Sequence, residues 1–376
     1  MQKNNEAVQK INSNTKNLEL LAKKIKDWGT DLGFQQVAIV KPDLSQASEN
    51  LHSWLSDGFN GSMQWMANHG EKRYVIADLV QDAVRVICVR LDYLTDDKMI
   101  AVLKSNDKAY ISRYAIGRDY HKVLRRRLAK LVSKIKCSLP DMQLSQRAFV
   151  DSAPVMEKPL AEQAGLGWMG KNTLILNKTA GSWFFLGEIY TSLPLPADNI
   201  IEPNRCGKCR ACITACPTNA FPKPYVLDAR KCISYLTIEH KGKIPSELRH
   251  LMGNRIFGCD DCQIICPWNR DVTKSNEADF SPRHNLDSSD LVTLFKWDKT
   301  EFMEKTKGMA IRRISYEMWR RNLAIGLGNA DGCHKILGIL EQSINELSPL
   351  VKEHVAWAID MQREKLNAKE TPSVIT

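Results

Sequence analysis

Eight cysteines fall between Cys206 and Cys266 at spacings suited to thiolate chemistry. The first run reads Cys206-x2-Cys209-x2-Cys212-x3-Cys216-Pro217, the second Cys259-x2-Cys262-x3-Cys266-Pro267, with Cys232 between them. An iron–sulfur cube needs four thiolates converging from different directions. A C-x2-C-x2-C loop supplies three, and the cysteine before proline points away to serve a neighbouring cube. The pattern predicts two 4Fe–4S clusters. Cys206, Cys209, Cys212 and Cys266 hold one; Cys216, Cys232, Cys259 and Cys262 hold the other, Cys232 replacing the cysteine that the second motif lacks. Structural zinc also uses C-x2-C pairs, but a C-x2-C-x2-C triple followed by Cys-Pro is unusual for it. The C-x3-C-x2-C loop of radical enzymes is absent. Such clusters move one electron at a time and make no bonds themselves, so the electrons need a destination elsewhere in the chain.

Three cofactor motifs come close before the cysteines and fail. Gly165 to Gly170 spells G-x-G-x-x-G and runs on as G-x4-G-K-N. A nucleotide loop needs a strand before it and a helix after it. Here helical Glu157–Ala164 precedes and strand-like Thr173–Leu176 follows, so both nucleotide readings are rejected. Asp119-Tyr120-His121-Lys122-Val123-Leu124 approaches the D-x-H-x-x-G cobalamin motif, but leucine replaces its glycine. His121 then reads as a helix start capped by Asp119. Asp151 closes an apolar strand and opens the turn Asp151-Ser152-Ala153-Pro154. It is either a cap or turn residue or a carboxyl raised in pKa by desolvation that donates a proton. Residue chemistry leaves both open.

The positioning elements follow from apolar periodicity. Leu18–Leu32 and Arg118–Lys136 read as helices; Val37–Val40, Val84–Leu91, Leu144–Val150 and Trp183–Ile189 read as strands. Strands separated by helices predict an α/β domain over residues 18–199, after a polar, disordered lead-in at 1–17. Prolines at 194 and 196 mark a boundary to a ferredoxin-like module at 200–275. Helical spacing over Tyr316–Leu327 and Pro349–Met361 predicts HEAT-like helix pairs in 276–376. The 376 residues carry 43% hydrophobic residues, 11 cysteines and a net charge of +10. No apolar run is long enough to cross a membrane, and polar Met1–Thr15 is no secretory signal. A reducing cytoplasmic setting suits unpaired thiols, and the basic balance admits a polyanionic partner. Cys88, Cys137 and Cys333 read as buried, inert thiols.

Together these runs resemble the epoxyqueuosine reductases, cobalamin-dependent enzymes of tRNA queuosine synthesis. The likeness rests on Ser112–His121, Val150–Val155, Gly165–Thr173, both cysteine sets, Cys232–Thr237 and Arg320–Asn329, and covers nearly the whole chain. It implies a nitroreductase- or reductive-dehalogenase-like α/β domain that binds cobalamin without an axial histidine, in keeping with the failed histidine motif. It also implies electrons passed through the clusters to cobalt, Co(I) attack on the epoxide, and Asp151 as proton donor. Lys171, Asn172, Thr173, Ser234, Asp260, Asp261 and Arg73 become candidate corrin contacts; a solvated surface arginine is the alternative for Arg73. Arg125–Arg127, Arg312–Arg313 and Arg320–Arg321 become candidate contacts to an anticodon stem-loop carrying epoxyqueuosine. Trp168 or Tyr235 would stack a splayed base. The implied enzyme is a cytoplasmic monomer served by an external low-potential electron donor.

Two other functions compete: a corrinoid reductive dehalogenase and a non-enzymatic two-cluster electron carrier. The basic runs and helical C-terminus favour RNA over an organohalide. The large first domain counts against a simple carrier.

Overall fold

The computed structural model describes residues 2–95 and 98–370, with side chains from residue 16 onward outside that gap. Apolar runs of the first half form strands β1 (Gln36–Val40), β2 (Arg85–Asp92), β3 (Gln146–Phe149) and β4 (Phe184–Thr191). They make one sheet in the order β1-β2-β4-β3. Every pairing in it is antiparallel. This corrects the α/β expectation, because alternation of helices and strands does not fix pairing direction. An antiparallel neighbour needs only a chain that returns at the end where it left. Asp92 pairs with Phe184 and Phe149 with Glu188. Residues 93–119 and 150–183 are therefore all insertions at one end of the sheet.

The eight residues of β4 are all buried, as a strand covered on both faces requires. Phe185 and Ile189 pack with Leu124 and Leu128 of helix α2 (Tyr120–Cys137) and with Ile25 of helix α1 (Gln2–Asp31). Leu186 and Tyr190 face Leu160 and Ala161 of helix α3 (Glu157–Gln163). Each such fully buried aliphatic side chain contributes about 1.5–3 kcal/mol. A Cβ on Gly187 would come within 3.0 Å of Leu128 Cδ1, so glycine allows α2 to lie close on the sheet. Helix α1 starts at Gln2, which corrects the disordered lead-in. Residues 2–28 contain neither glycine nor proline, so nothing breaks the helix backward from Leu18.

The cores do not follow the boundaries drawn from sequence. Ala109, Ile111 and Ile116 pack with Ile256, Phe257, Trp319 and Leu323. Tyr110–Ile111 pairs in parallel with Arg255–Phe257. The Asp260 carboxylate accepts from Tyr110 Oη (2.7 Å), Ser112 Oγ (2.5 Å) and the Arg113 N–H (2.9 Å). The cysteine-bearing segment is thereby fastened to the insertion at 93–119.

The C-terminal part is helical: α5 (Tyr316–Asn329), α6 (His334–Ser343) and α7 (Pro349–Glu370), with α4 (Ile233–Ile238) just after Cys232. Helices α5 and α7 run parallel, since Ser348 bonds Glu317 at one end while Gln362 reaches the Leu327 and Ala330 carbonyls at the other. Arg321 is fully buried in α5. It donates to the carbonyls of Leu236 (2.8 Å), His240 (2.6 Å) and Gly242 (2.8 Å). Asn322 donates to those of Thr237 and Ile256, both at 2.9 Å. The expected phosphate contact at Arg320–Arg321 is thus corrected: Arg321 is interior, and Arg320 lies 4.1 Å over the Phe295 ring. Three carbonyls would lose their Arg321 donor, so Arg321→Met should lower unfolding free energy by about 3 kcal/mol or more. Anaerobic urea unfolding checks it, and an unchanged midpoint would show the bonds to be dispensable.

Candidate functional site

Helix α2 begins where Asp119 caps it, its carboxylate accepting the His121 N–H at 3.1 Å. That cap sets Tyr120 and His121 on the first turn, facing Asp151 at the exit of β3. Tyr120 Oη donates to the Asp151 carboxylate at 2.5 Å, His121 Nε2 lies 3.2 Å from the same oxygen, and His121 Nδ1 lies 2.8 Å from Asp119. Asp151 has φ +43°, a left-handed conformation that costs a non-glycine residue about 1–3 kcal/mol. Its side chain remains half-exposed to an open cavity of about 640 Å³.

Burial alone pushes the Asp151 carboxyl up, but hydrogen bonds from His121 and Tyr120 outweigh it and hold it below the ordinary carboxylate value. A desolvated carboxyl with a raised pKa is therefore not what this geometry makes. Burial pulls His121 down, yet its bonds to Asp119 and Asp151 and their charges raise it to about 9. The mobile proton of the pair rests on imidazole. Behind them, burial and the Asp151 charge push Glu157 up to about 7. Glu188, fully buried on β4, is pushed well up by burial.

The raised His121 value carries a stability consequence. The unfolded chain releases this proton near pH 6.5 and the folded chain near 9. The stabilisation is complete below about pH 6.5 and drains away as pH rises through 9. Thermal melts of wild type and His121→Gln should differ most near pH 6 and converge above pH 9.5. A gap independent of pH would disprove the ionic pairing.

The cavity is lined by Cys232 and Ser234 together with Asp151, Tyr120 and His121, and by Arg312 and Arg313. Tyr235 lines it too, its Oη accepting the Ser62 N–H at 2.7 Å. A Cβ on Gly61, at φ +56°, would fall 2.5 Å from that oxygen, so glycine lets the loop close on Tyr235. Lys158 reaches the Thr173 carbonyl at 3.0 Å, and Arg313 pairs with Glu239 at 2.7 Å.

The eight cysteines gather around two cavities. Cys206, Cys209, Cys212 and Cys266 line one cavity of about 220 Å³. Cys216, Cys232, Cys259 and Cys262 line another of about 30 Å³. Among the described residues no three Cys, His or carboxylate groups converge as ligands of a single ion. Four cysteines around each cavity match the ligand number of a 4Fe–4S cube.

Several candidate corrin contacts lie elsewhere. Lys171 donates to the carbonyls of Gly207 (2.6 Å) and Cys209 (2.8 Å), fixing the first cysteine loop. Asn172, buried, donates to the Cys262 carbonyl at 3.2 Å. Thr173 takes φ +63° in the turn between Trp168–Met169 and Ile175–Leu176. The glycine-rich run is therefore a hairpin propping the cysteine loops, because its backbone turns between two strands rather than opening a helix. Asp261 forms a two-point pair with Arg255 (2.7 and 2.6 Å) beside the second cysteine quartet. Asp260 is tied up as described above. Arg73 is only 5% exposed and donates to the carbonyls of Trp65 and Met66, both at 2.8 Å, bracing a cavity-wall tryptophan. Burial of its guanidinium at the chain's own carbonyls overturns the solvated-surface alternative for Arg73. Trp168 is buried edge-on against Trp268 and has no face for a base.

Of the basic runs, Arg127 pairs with Glu277 and Arg126 with Asp279, while exposed Arg125 bonds Ser152 Oγ at 2.6 Å, next to Asp151. Cys88 is buried, as expected. Cys137 is exposed at the end of α2, and Cys333 is partly buried against the C-terminal core. Sequence reasoning took Asp119–His121 as a helix cap and missed its second task; the signal was a histidine and a tyrosine on a first turn, an acidic residue before them, and Asp151 ending a strand.

Fold and site together define an oxidoreductase in which a double-cluster module adjoins a cavity holding a carboxylate–imidazole pair. Residues 205–269 match the model described as a 4Fe-4S double cluster binding domain, and residues 73–152 the one described as epoxyqueuosine reductase QueG, DUF1730. The chain is 54% identical over 340 residues to the epoxyqueuosine reductase of Pseudomonas aeruginosa, covering 90% of this chain and 94% of that one. It is 53% identical over 352 residues to the enzyme of Escherichia coli, covering 93% and 92%. The chain belongs to the epoxyqueuosine reductase family. Its fold is similar to a crystal structure of epoxyqueuosine reductase with an epoxyqueuosine-modified tRNA-Tyr stem loop (TM-score 0.82, 26% identity, 95% and 96% covered). It is also similar to the Bacillus subtilis enzyme with its catalytic aspartate loop swung out of the active site (TM-score 0.82, 25% identity, 95% and 96% covered). No helix among the described residues is long and apolar enough to cross a membrane.

Proposed function

We propose that this chain reduces epoxyqueuosine to queuosine in the anticodon loop of tRNA, with Asp151 delivering the proton to the opening epoxide oxygen. One observation carries the reading: a single cavity is lined both by Cys232 of a cysteine quartet and by the Asp151–His121 pair. The net reaction takes up two electrons and two protons and releases water. When bound, the clusters supply electrons, and a reduced corrin supplies a cobalt nucleophile toward the epoxide carbon.

The residues present suit a corrin. Trp54, Met63, Ile238 and Met309 give the cavity apolar walls. Both nitrogens of His121 face carboxylates, so neither is free to bind a metal. Ser234 and Lys158 are the polar groups placed to hold amide side chains. In catalysis Asp151 passes a proton that His121, charged at neutral pH, makes good. Asp119 keeps the imidazole oriented, and Tyr120 fixes the carboxylate. The swung-out aspartate loop of the Bacillus subtilis enzyme supports placing the acid on a strained turn. Arg312 and Arg313 line the cavity, where they would meet stem-loop phosphates, and Tyr235 would stack the extruded base.

The same reading treats 18–199 as the corrin domain, 200–275 as the cluster module and 276–376 as HEAT-like helices after the segment at 1–17. Parallel α5 and α7 with α6 between them support the last. It also makes the enzyme a cytoplasmic monomer fed by an external low-potential donor. The test is anaerobic incubation of cluster- and cobalamin-loaded protein with epoxyqueuosine tRNA and a reductant, followed by nucleoside mass spectrometry. Loss of one oxygen from the modified base is expected; an unchanged nucleoside would overturn the proposal.

A further inference from the structure

The two cysteine quartets meet solvent differently. Cys232 and Ser234 put the second quartet against the cavity, whereas Cys209 of the first quartet is exposed. Flanking Cys209 in the chain are Arg205, Lys208 and Arg210, all solvent-facing. No side-chain hydrogen bond or ion pair engages these three among the described residues. Lys171, tied to the Gly207 and Cys209 carbonyls, adds a further positive charge. Apolar side chains break up the same collar. Ile265, next to Cys266, is 41% exposed, and Tyr225, in reach of Asn204, is 43% exposed. A small apolar patch ringed by unpaired charge of one sign is what a brief redox encounter uses. Such interfaces are small, and complementary charge speeds association more than it tightens it.

We propose that the Arg205–Arg210 collar is the docking surface for an acidic protein electron donor, which delivers electrons at the first cysteine quartet. This rests on the cluster assignment and on the cavity being the electrons' destination. In each encounter the donor is oxidised by one electron and the cluster reduced by one, with no bond made or broken. A nucleic acid is the competing polyanion, but the cavity with Arg312 and Arg313 adjoins the other quartet.

The experiment uses the cluster-loaded full chain and an acidic flavodoxin, reduced beforehand, with cluster bleaching followed by stopped flow. For the wild type, the rate should fall steeply with added salt. In Lys208→Glu/Arg210→Glu it should fall at least about tenfold at low salt and lose its salt dependence. Lys208→Gln/Arg210→Gln should lie between, which separates charge from misfolding. Iron content, bleaching by dithionite and tRNA affinity should stay at wild-type values in both. Unchanged flavodoxin kinetics would overturn the proposal. So would an equal loss of tRNA affinity, which would make the collar an RNA surface. Dithionite-driven conversion of epoxyqueuosine tRNA is scored separately, so failure of docking is distinguishable from failure of the proposed reaction.

Discussion

Asp151→Asn should lower turnover of epoxyqueuosine tRNA by about 10²- to 10⁴-fold, the range for losing a positioned acid–base group. The amide keeps the side chain's size and can still accept from Tyr120, so the cavity and cysteine loops should be undisturbed. Iron content and tRNA affinity are expected to match wild type. The substitution also removes one of the two carboxylates that raise His121 to about 9. The imidazole pKa, followed by NMR in the full-length protein, should therefore fall while Asp119 still holds it above that of a free histidine. A matched loss in His121→Gln would show that the pair acts as a unit. Near-normal turnover of Asp151→Asn would remove the residue from the mechanism, whatever its φ angle and hydrogen bonds suggest.

Cys232→Ala tests the ligand assignment and should be at least as damaging. Cys232 stands apart from both cysteine runs, and it lines the cavity of Asp151 and the small cavity of its quartet alike. Without it the second quartet has three thiolates. Iron per chain should drop from about eight atoms to about four, because one 4Fe–4S site is lost. Turnover with a protein donor should become undetectable, since the remaining site does not adjoin the cavity. Unfolding is controlled by Cys333→Ala, which removes a thiol outside both quartets and should leave iron content unchanged. Retention of about eight irons in Cys232→Ala would mean another residue completes the second site.

Much of the site was legible because some of its chemistry is local. Three cysteines of the first cube, Cys206, Cys209 and Cys212, lie within one loop, and spacing alone constrains them. Asp119 as a cap was legible for the same reason: a cap bonds its own first turn. What those residues do at a distance was not. Arg321 looked like surface charge beside Arg320, yet it reaches carbonyls about 80 residues earlier in the chain, and nothing in a dipeptide of arginines distinguishes the two fates. Lys171 and Asn172 were candidate corrin contacts only through the family resemblance. Their donors instead meet carbonyls of both cysteine loops.

The sequence by itself determined the electron carriers and the strand and helix segments of the first domain, while for Asp151 it left both a cap and an acid open. Those depend on periodicity, spacing and residue type, which are properties of neighbouring positions. Tertiary structure decided the direction of strand pairing, which quartet adjoins the cavity, and that Asp151 shares its proton with His121. Each depends on where an insertion returns to the sheet. The antiparallel sheet brings residues 93–119 and 150–183 to one end, and two side chains 30 positions apart then compete for a proton.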